Sequence, residues 1–390
     1  MQISESNQDT THSKYNIKYK YKRDLIDYGL IFLGKNPDSR LDSSNIKPTH
    51  FYFSVSPIVE YTIATGFSFG VAGNVAFKTS SVQETNVSSF LGAIKYTTKK
   101  QFLLPVQSSV WTPGNKYNLL GDWRYLDYPQ DSYGYVGYNT LSDKYIIDYQ
   151  QVRFYETVLK NIRKNIYFGF GYEMNHYWNI KETDTLPGRI TNYQEYRYTR
   201  QSTSSGIAID FIYDSRENSI NPEGGSFYAN LQLLQDAKFL GADSYWNSVL
   251  IDLRKYIKMP LHTVLALWFY SVITISGDPP YLDLPGTGSD TYNNTGRGYE
   301  QARFIGKKMV DLEMEYRFDI SRNGLIGVVI FANAESLSEL ESNKFEVISP
   351  GFGIGLRIKF NKFSGTNVCI DYGVGTKGSK GFVGNLGEVF

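Results

Sequence analysis

The stretch from Lys308 to Ile320 has a period that few folds can use. Val310, Leu312, Met314, Tyr316, Phe318 and Ile320 alternate with Asp311, Glu313, Glu315, Arg317 and Asp319. Successive side chains of a β-strand point to opposite faces, so one face is wholly apolar and the other wholly charged. A soluble sheet could show this once, but charge on every inner position suits a wet lumen behind a lipid-facing wall. The period returns along the chain. Phe352, Ile354, Leu356, Ile358 and Phe360 alternate with Gly353, Gly355, Arg357 and Lys359, and Phe168, Phe170, Tyr172 and Met174 with Gly169, Gly171, Glu173 and Asn175. Ile207, Ile209 and Phe211 oppose Ala208 and Asp210, and Phe67, Phe69 and Val71 oppose Ser68 and Gly70. Repetition of this kind is the signature of a transmembrane β-barrel.

Segments between turn signals fall at 51–60, 66–78, 86–97, 101–111, 117–127, 144–158, 165–178, 204–215, 224–236, 245–257, 262–276, 307–320, 324–334, 350–361, 366–376 and 381–390. The expected fold is all-β: sixteen antiparallel strands. An even count puts both termini on the periplasmic side. Connections divide accordingly. Short turns at Thr112–Asn115, Asn161–Lys164, Met259–Pro260 and Ser321–Gly324 follow even-numbered segments, and longer stretches at 128–143, 179–203, 277–306 and 335–349 follow odd-numbered ones. Trp111, Trp178 and Trp246 fall near segment ends, where an interfacial belt would place them.

Composition agrees. A length of 390 residues allows several soluble domains, but a barrel can absorb it as one. The formal net charge of +1 gives no basic field for nucleic acid. The 32 Tyr, 24 Phe and 35 Gly suit aromatic girdles and tight turns. Mean hydropathy is −0.34, and no run approaches the roughly 20 apolar residues of a spanning helix. Cys369 stands alone, so no intrachain disulfide can form.

Residues 1–49 read differently, as a periplasmic extension ahead of a barrel at 50–390. The opening is polar. Met1–Glu5 lacks the basic and apolar regions of a signal peptide; a barrel needs export, so Met1 is read as a start that follows a removed signal. From about 22 to 33, Leu25, Ile26, Tyr28, Ile31 and Phe32 cluster at helical spacing before Gly34. This short amphipathic helix could plug the barrel mouth, lie on the inner leaflet, or be tethered at the surface.

Several ordered motifs carry a family resemblance. Gly296-Arg297-Gly298-Tyr299-Glu300 precedes the twelfth segment; Asp210–Asn218 runs on to Pro222-Glu223-Gly224-Gly225; the end carries Gly351–Arg357, Ile370-Asp371-Tyr372-Gly373 and Gly387-Glu388-Val389-Phe390. Over about residues 51–390 the chain resembles the C-terminal barrel of the bacterial surface-antigen superfamily, which includes BamA, TamA and the FhaC-type secretion transporters. The resemblance implies a loop folded into the lumen whose arginine meets an acidic inner wall. Here that falls on Arg297, Gly298 and Tyr299, with Glu313 and Glu315 as candidate partners. Relatives often place a further acid on the thirteenth strand, where this sequence has Phe331-Ala332-Asn333-Ala334. The resemblance also implies a short branch without POTRA domains, an outer-membrane location, and Phe390 as a C-terminal assembly signal.

Assembly or translocation work follows from the resemblance: inserting or passing proteins, or handling lipid, at a seam between the first and last strands. Pro57, Gly381, Gly384 and Gly387 would loosen that seam; a closed barrel tolerating Pro and Gly is the other reading. The expected partners are outer-membrane lipid and other outer-membrane or periplasmic proteins. A passive or plugged pore is the alternative function. An enzyme is not expected, nor a cofactor or metal: His12, His50, His176 and His262 show no metal-ligand spacing, and no Gly-x-Ser-x-Gly elbow occurs. Met174-Asn175-His176 reads as an interfacial segment, and Cys369 as a small wall residue.

Overall fold

A computed structural model describes residues 21–42, 50–81, 85–134, 139–185, 188 and 190–390. The polar opening, with His12, lies outside them. Helix α1 (Leu25–Phe32) is followed by β1 (Tyr52–Thr62), β2 (Gly66–Phe77), β3 (Ser88–Thr97), β4 (Phe102–Trp111), β5 (Tyr117–Ser132), β6 (Tyr145–Arg163) and β7 (Ile166–Thr183). After helix α2 (Asn192–Arg197) come β8 (Ser202–Asp214), β9 (Phe227–Asp236), β10 (Trp246–Lys258), β11 (Val264–Gly277) and β12 (Lys308–Asp319). The chain ends with β13 (Ile326–Leu337), β14 (Ser349–Asn361), β15 (Thr366–Val374) and β16 (Lys380–Leu386). The strands form one sixteen-stranded sheet in sequence order, every neighbour antiparallel.

The alternation seen in sequence is the alternation of the wall. On β12, Asp311, Glu313, Glu315 and Arg317 are buried inside while Leu312, Met314 and Tyr316 stand exposed outside. Phe352, Ile354 and Leu356 on β14 and Ile207, Ile209 and Phe211 on β8 likewise face outward. The outward stripe needs lipid to cover it.

Several expectations change. β5, β6 and β7 run to Ser132, Arg163 and Thr183, well beyond the expected ends. Pro129 looked like a loop residue, yet it sits in the β5–β6 ladder opposite Asp148. The outer links at 63–65, 98–101 and 375–379 are short and the periplasmic β8–β9 link at 215–226 is long, so the length rule holds only in part. Of the three tryptophans assigned to a belt, Trp178 stands outside, stacked on His176 at 5.4 Å. Trp246 is instead buried opposite the inward Asp236, and Trp111 meets the inward Tyr167 ring at 5.8 Å. The last strand stops at Leu386 rather than running to Phe390. Gly387 has φ +95°, a left-handed turn, and sends Glu388, Val389 and Phe390 into the lumen.

Helix α1 forms over Leu25–Phe32, but it does not plug the mouth by its apolar side. Its acidic side does the docking. Asp24 caps the helix by accepting from Asp27 N at 2.7 Å. Lys362, in the β14–β15 turn, donates its backbone N to Asp24 at 2.8 Å and its Nζ to Asp27 at 2.7 Å. Arg40 Nη1 donates to the same two carboxylates at 2.6 and 2.7 Å. Tyr28, Ile31 and Leu33 stay exposed, and Phe32 is 90% exposed. The periplasmic mouth is crossed instead by the β8–β9 connection. Asn218 and Asn221 donate to Ser364 O and Gly365 O at 2.7 and 3.0 Å, and Glu388 N donates to Ile220 O at 2.9 Å.

Breaking a buried ion pair from one side costs about 3–5 kcal/mol. Lys362→Ala should therefore release α1 while the barrel melts unchanged. Hydrogen exchange over residues 24–33 should rise by orders of magnitude; unchanged protection would mean that the helix is held by something else.

Candidate functional site: the loop that fills the lumen

The β11–β12 connection, residues 278–307, folds down into the barrel. Each stage of its descent has a reason. Tyr281 packs between Tyr193 and Tyr196, with ring centroids at 5.2 and 6.0 Å. Asp283 accepts from Ser204 Oγ at 2.5 Å, Asn175 Nδ2 at 2.9 Å and Tyr177 OH at 3.0 Å, tying the loop to β7 and β8. Asp290 accepts the backbone N of Asn294 and of Thr295, each at 2.7 Å, which folds the tip on itself. Burial pushes the Asp290 carboxyl above its usual range despite these bonds.

At the tip, Gly296 (φ +71°) and Gly298 (φ +103°) flank Arg297. The guanidinium is 2% exposed at the side chain and lies among three carboxylates. Nε donates to Glu313 Oε1 at 2.7 Å, Nη2 reaches Glu313 as well and meets Glu315 Oε2 at 2.6 Å, and Nη1 donates to Asp371 Oδ2 at 2.6 Å. Its face covers the Phe331 ring at 3.7 Å, a cation–π contact on the wall. Asn333 Nδ2 donates to Arg297 O at 2.8 Å. Tyr299 OH donates to Pro350 O at 2.6 Å and accepts from Thr376 N at 2.9 Å. The backbone at 298 comes so close to β15 that a Cβ there would lie 3.0 Å from Val374 backbone atoms. Only glycine fits, on grounds of space and of φ alike.

The network extends beyond the pairs expected from sequence. Arg317 Nε donates to Glu315 Oε1 at 2.6 Å. Arg357, on β14, bonds Asp371 and sends its Nε to Glu388 Oε2 at 2.8 Å. Three arginines and four carboxylates thus share one strip. Asp371, Arg357, Phe331 and Glu388 carry contacts that the sequence reading did not assign. Strand parity places the first three in the lumen; Glu388 could not be found that way, because it lies past the turn at Gly387. The acid sought on β13 is two residues beyond Asn333: Glu335 accepts from Thr287 Oγ1 at 3.0 Å rather than from the arginine. Cys369 is buried, its Sγ donating to Gly387 O at 2.9 Å. Asn175 points inward and His176 outward, so the two occupy opposite faces of β7.

The tail that leaves β16 is held by the same strip. Phe390 is 2% exposed, stacked on Trp268 at 5.1 Å. Arg317 Nη2 donates to Phe390 O at 2.8 Å, and Asn294 Nδ2 from the loop donates to Val389 O at 2.8 Å. Phe390 is thus a lumenal anchor in the folded chain rather than the end of a strand.

β1 and β16 share no ladder among the described residues. They touch at the outer end, where a Cβ on Gly381 would strike Ile63 and one on Gly384 would sit 3.4 Å from Tyr61 O. Below that, β16 has ended while β1 continues down to Tyr52. Pro57 lies on this lower part, opposite Val71 of β2. Ser54 and Ser56, inward by parity, are exposed there, so among the described residues the lumen beside β1 is open while the strip around Arg297 is packed.

Residues 63–375 match the model of a family described as the Omp85 superfamily domain. No curated protein matches the sequence. Among solved structures, the fold is similar to BamA from Haemophilus ducreyi lacking POTRA domains 1–3, at 14% identity and TM-score 0.59, covering 86% of this chain and 70% of that one. It is similar to CdiB from Acinetobacter baumannii, at 11% identity and TM-score 0.53, covering 86% and 59%. CdiB from Escherichia coli aligns at 8% identity and TM-score 0.53, covering 90% and 69%. At these identities the likeness is one of fold.

Arg297→Ala should leave the sixteen strands intact and free the loop, since it strands three buried carboxylates at a cost of about 3–5 kcal/mol. Protease cleavage within 278–306 and a rise in single-channel conductance report the release. Arg297→Lys should recover little, because an ammonium lacks the planar fork. Gly298→Ala should behave like Arg297→Ala although it removes no charge. A loop that stays protected in either alanine variant would show that the tip is not what holds it.

Proposed function

Because the chain belongs to the Omp85 superfamily and is an outer-membrane barrel, we propose that it assists the insertion or passage of polypeptides, or the handling of lipid, together with a partner protein. One observation carries this reading. β16 is seven residues long and β1 eleven, so the lower edge of β1 extends past its neighbour. A strand edge presents unpaired N–H and C=O groups, and in hydrocarbon each unmet group costs several kcal/mol. Such an edge calls either for a locally thinned bilayer or for another strand added beside it, the chemistry of strand addition. Pro57 suits this edge, since it has no N–H to leave unpaired. The open lumen beside β1 gives a passing segment somewhere to lie.

The alternative is a plugged pore without assembly activity. It draws on the packed loop and on the β8–β9 connection across the mouth, and it needs no parting of β1 from β16. Neither reading assigns an enzymatic reaction or a cofactor.

A disulfide lock separates the two. Tyr61→Cys with Gly384→Cys joins outward positions that already lie together. Under the assembly reading the locked protein should lose at least 90% of its effect on delivery of an unfolded eight-stranded model barrel into native outer-membrane vesicles, and regain it on reduction. Full activity while locked would overturn that reading and leave the plugged pore. The purified barrel alone in lipid vesicles should speed the same insertion only slightly. Efficient insertion there would remove the need for a partner.

A further inference from the structure

A carboxyl group faces lipid near the middle of the wall. On β6, Phe154 and Val158 are exposed on either side of Glu156, while Gln151 and Arg153 bond within the lumen, so the even positions point outward. Register gives the depth. Gln150 pairs with Trp178 of the outer belt, and Lys160 pairs with Phe168 and Tyr117 near the periplasmic end. Glu156 stands four residues from Lys160 and six from Gln150, roughly 10 and 15 Å at about 3.3 Å per residue and a tilt near 40°. Among the described residues, no other outward strand position at that depth carries an acidic or basic side chain.

Its surroundings hold it in place. Trp123 Nε1 donates to Glu156 Oε1 at 2.9 Å. The indole lies over Gly121, the β5 partner of Glu156, where a Cβ would come within 3.2 Å of the ring. Phe154 stacks on the indole at 6.4 Å, and Tyr172, the β7 partner of Glu156, shares its hydroxyl with Ser205 at 2.9 Å. Among the described residues this leaves Oε2 without a hydrogen bond and no cation within reach. A carboxyl in hydrocarbon is retained where something pairs with it.

We propose that the wall around Glu156 is an intramembrane docking site for a membrane-embedded segment of a partner protein carrying a lysine or arginine near the middle of its span. Charge complementarity selects this occupant. Among the described residues, a second copy of the chain presents no outward lysine or arginine at that depth, and lipid headgroups lie at the interfaces. The site stands five strands from the β1–β16 seam and does not depend on how the seam works.

The test uses the full chain with Val158→Cys in dioleoyl phosphatidylcholine vesicles; the native Cys369 is buried. The probe is a synthetic leucine-rich transmembrane helix with one lysine and one cysteine at its centre. Oxidative cross-linking to this helix should exceed that to a leucine-centred control by about tenfold, the ratio given by 1.4 kcal/mol. Glu156→Gln should reduce it to the control level. Equal yields, an excess that survives Glu156→Gln, or barrel-to-barrel cross-links that dominate in either case overturn the proposal. Should Glu156→Gln not fold, norleucine replaces the probe's lysine, keeping the stem and removing the charge. A norleucine helix that cross-links as well as the lysine helix also overturns it.

Discussion

A buried guanidinium among carboxylates is stable only when every charge in the group is answered, and around Arg297 that requirement organises the barrel interior. Taking one charge from water costs several kcal/mol, and a lone pair rarely repays it. Here Glu315 is shared by Arg297, Arg317 and Arg357, and Asp371 by Arg297 and Arg357. The strip therefore behaves as one unit. It draws the loop tip onto β12, fixes β14 against β15, and gives Glu388 a cationic partner. Removing a member exposes the others, so the cost at one residue is a property of the whole group.

That unit lies beside the weakest part of the wall. β15 and β16 share seven register pairs, and past Leu386 the chain turns inward to Glu388 and Phe390. Charges that hold the loop also hold the tail, and a tail drawn inward shortens the edge that β16 offers to β1. Asn294 joins loop to tail directly through Val389 O. Loop and tail thus meet through direct contacts as well as through the shared strip.

Much of this was legible in the sequence. Sixteen segments, their order, and the inward strip on β12 follow from a period of two, because a one-residue slip would send every charge into lipid. Gly-Arg-Gly-Tyr marked the loop tip through the family resemblance, and glycine on both sides of the arginine suits close approach to a wall. What failed had physical causes. α1 is amphipathic, and its apolar stripe suggested the docking face; yet Asp24 and Asp27 are fully buried against Arg40 and Lys362, a partner set spread over more than 300 residues of sequence. Trp111 and Trp246 sit at strand ends but on inward parity, which outweighs the belt preference. The turn at Gly387 breaks the last strand, which the expected segment carried on to Phe390.

At Glu156 the alternation itself is informative. On β6 the outward series reads Val152, Phe154, Glu156, Val158, and a single acidic residue in such a series is easily treated as noise. Once the register places it midway between the belts, the rule that governs the lumen applies outside it: a carboxyl away from water must be neutralised or met. Inside, three arginines of the same chain meet Glu313, Glu315, Asp371 and Glu388, while among the described residues Asp311 beside them has no partner for either oxygen. Outside, the described residues supply one indole N–H, positioned over Gly121, and half of the carboxylate is left for another donor. Backbone edge and side-chain charge thus pose the same physical problem at two places on the wall, one at the lower part of β1 and one at Glu156. In both, the described residues leave the bonding incomplete.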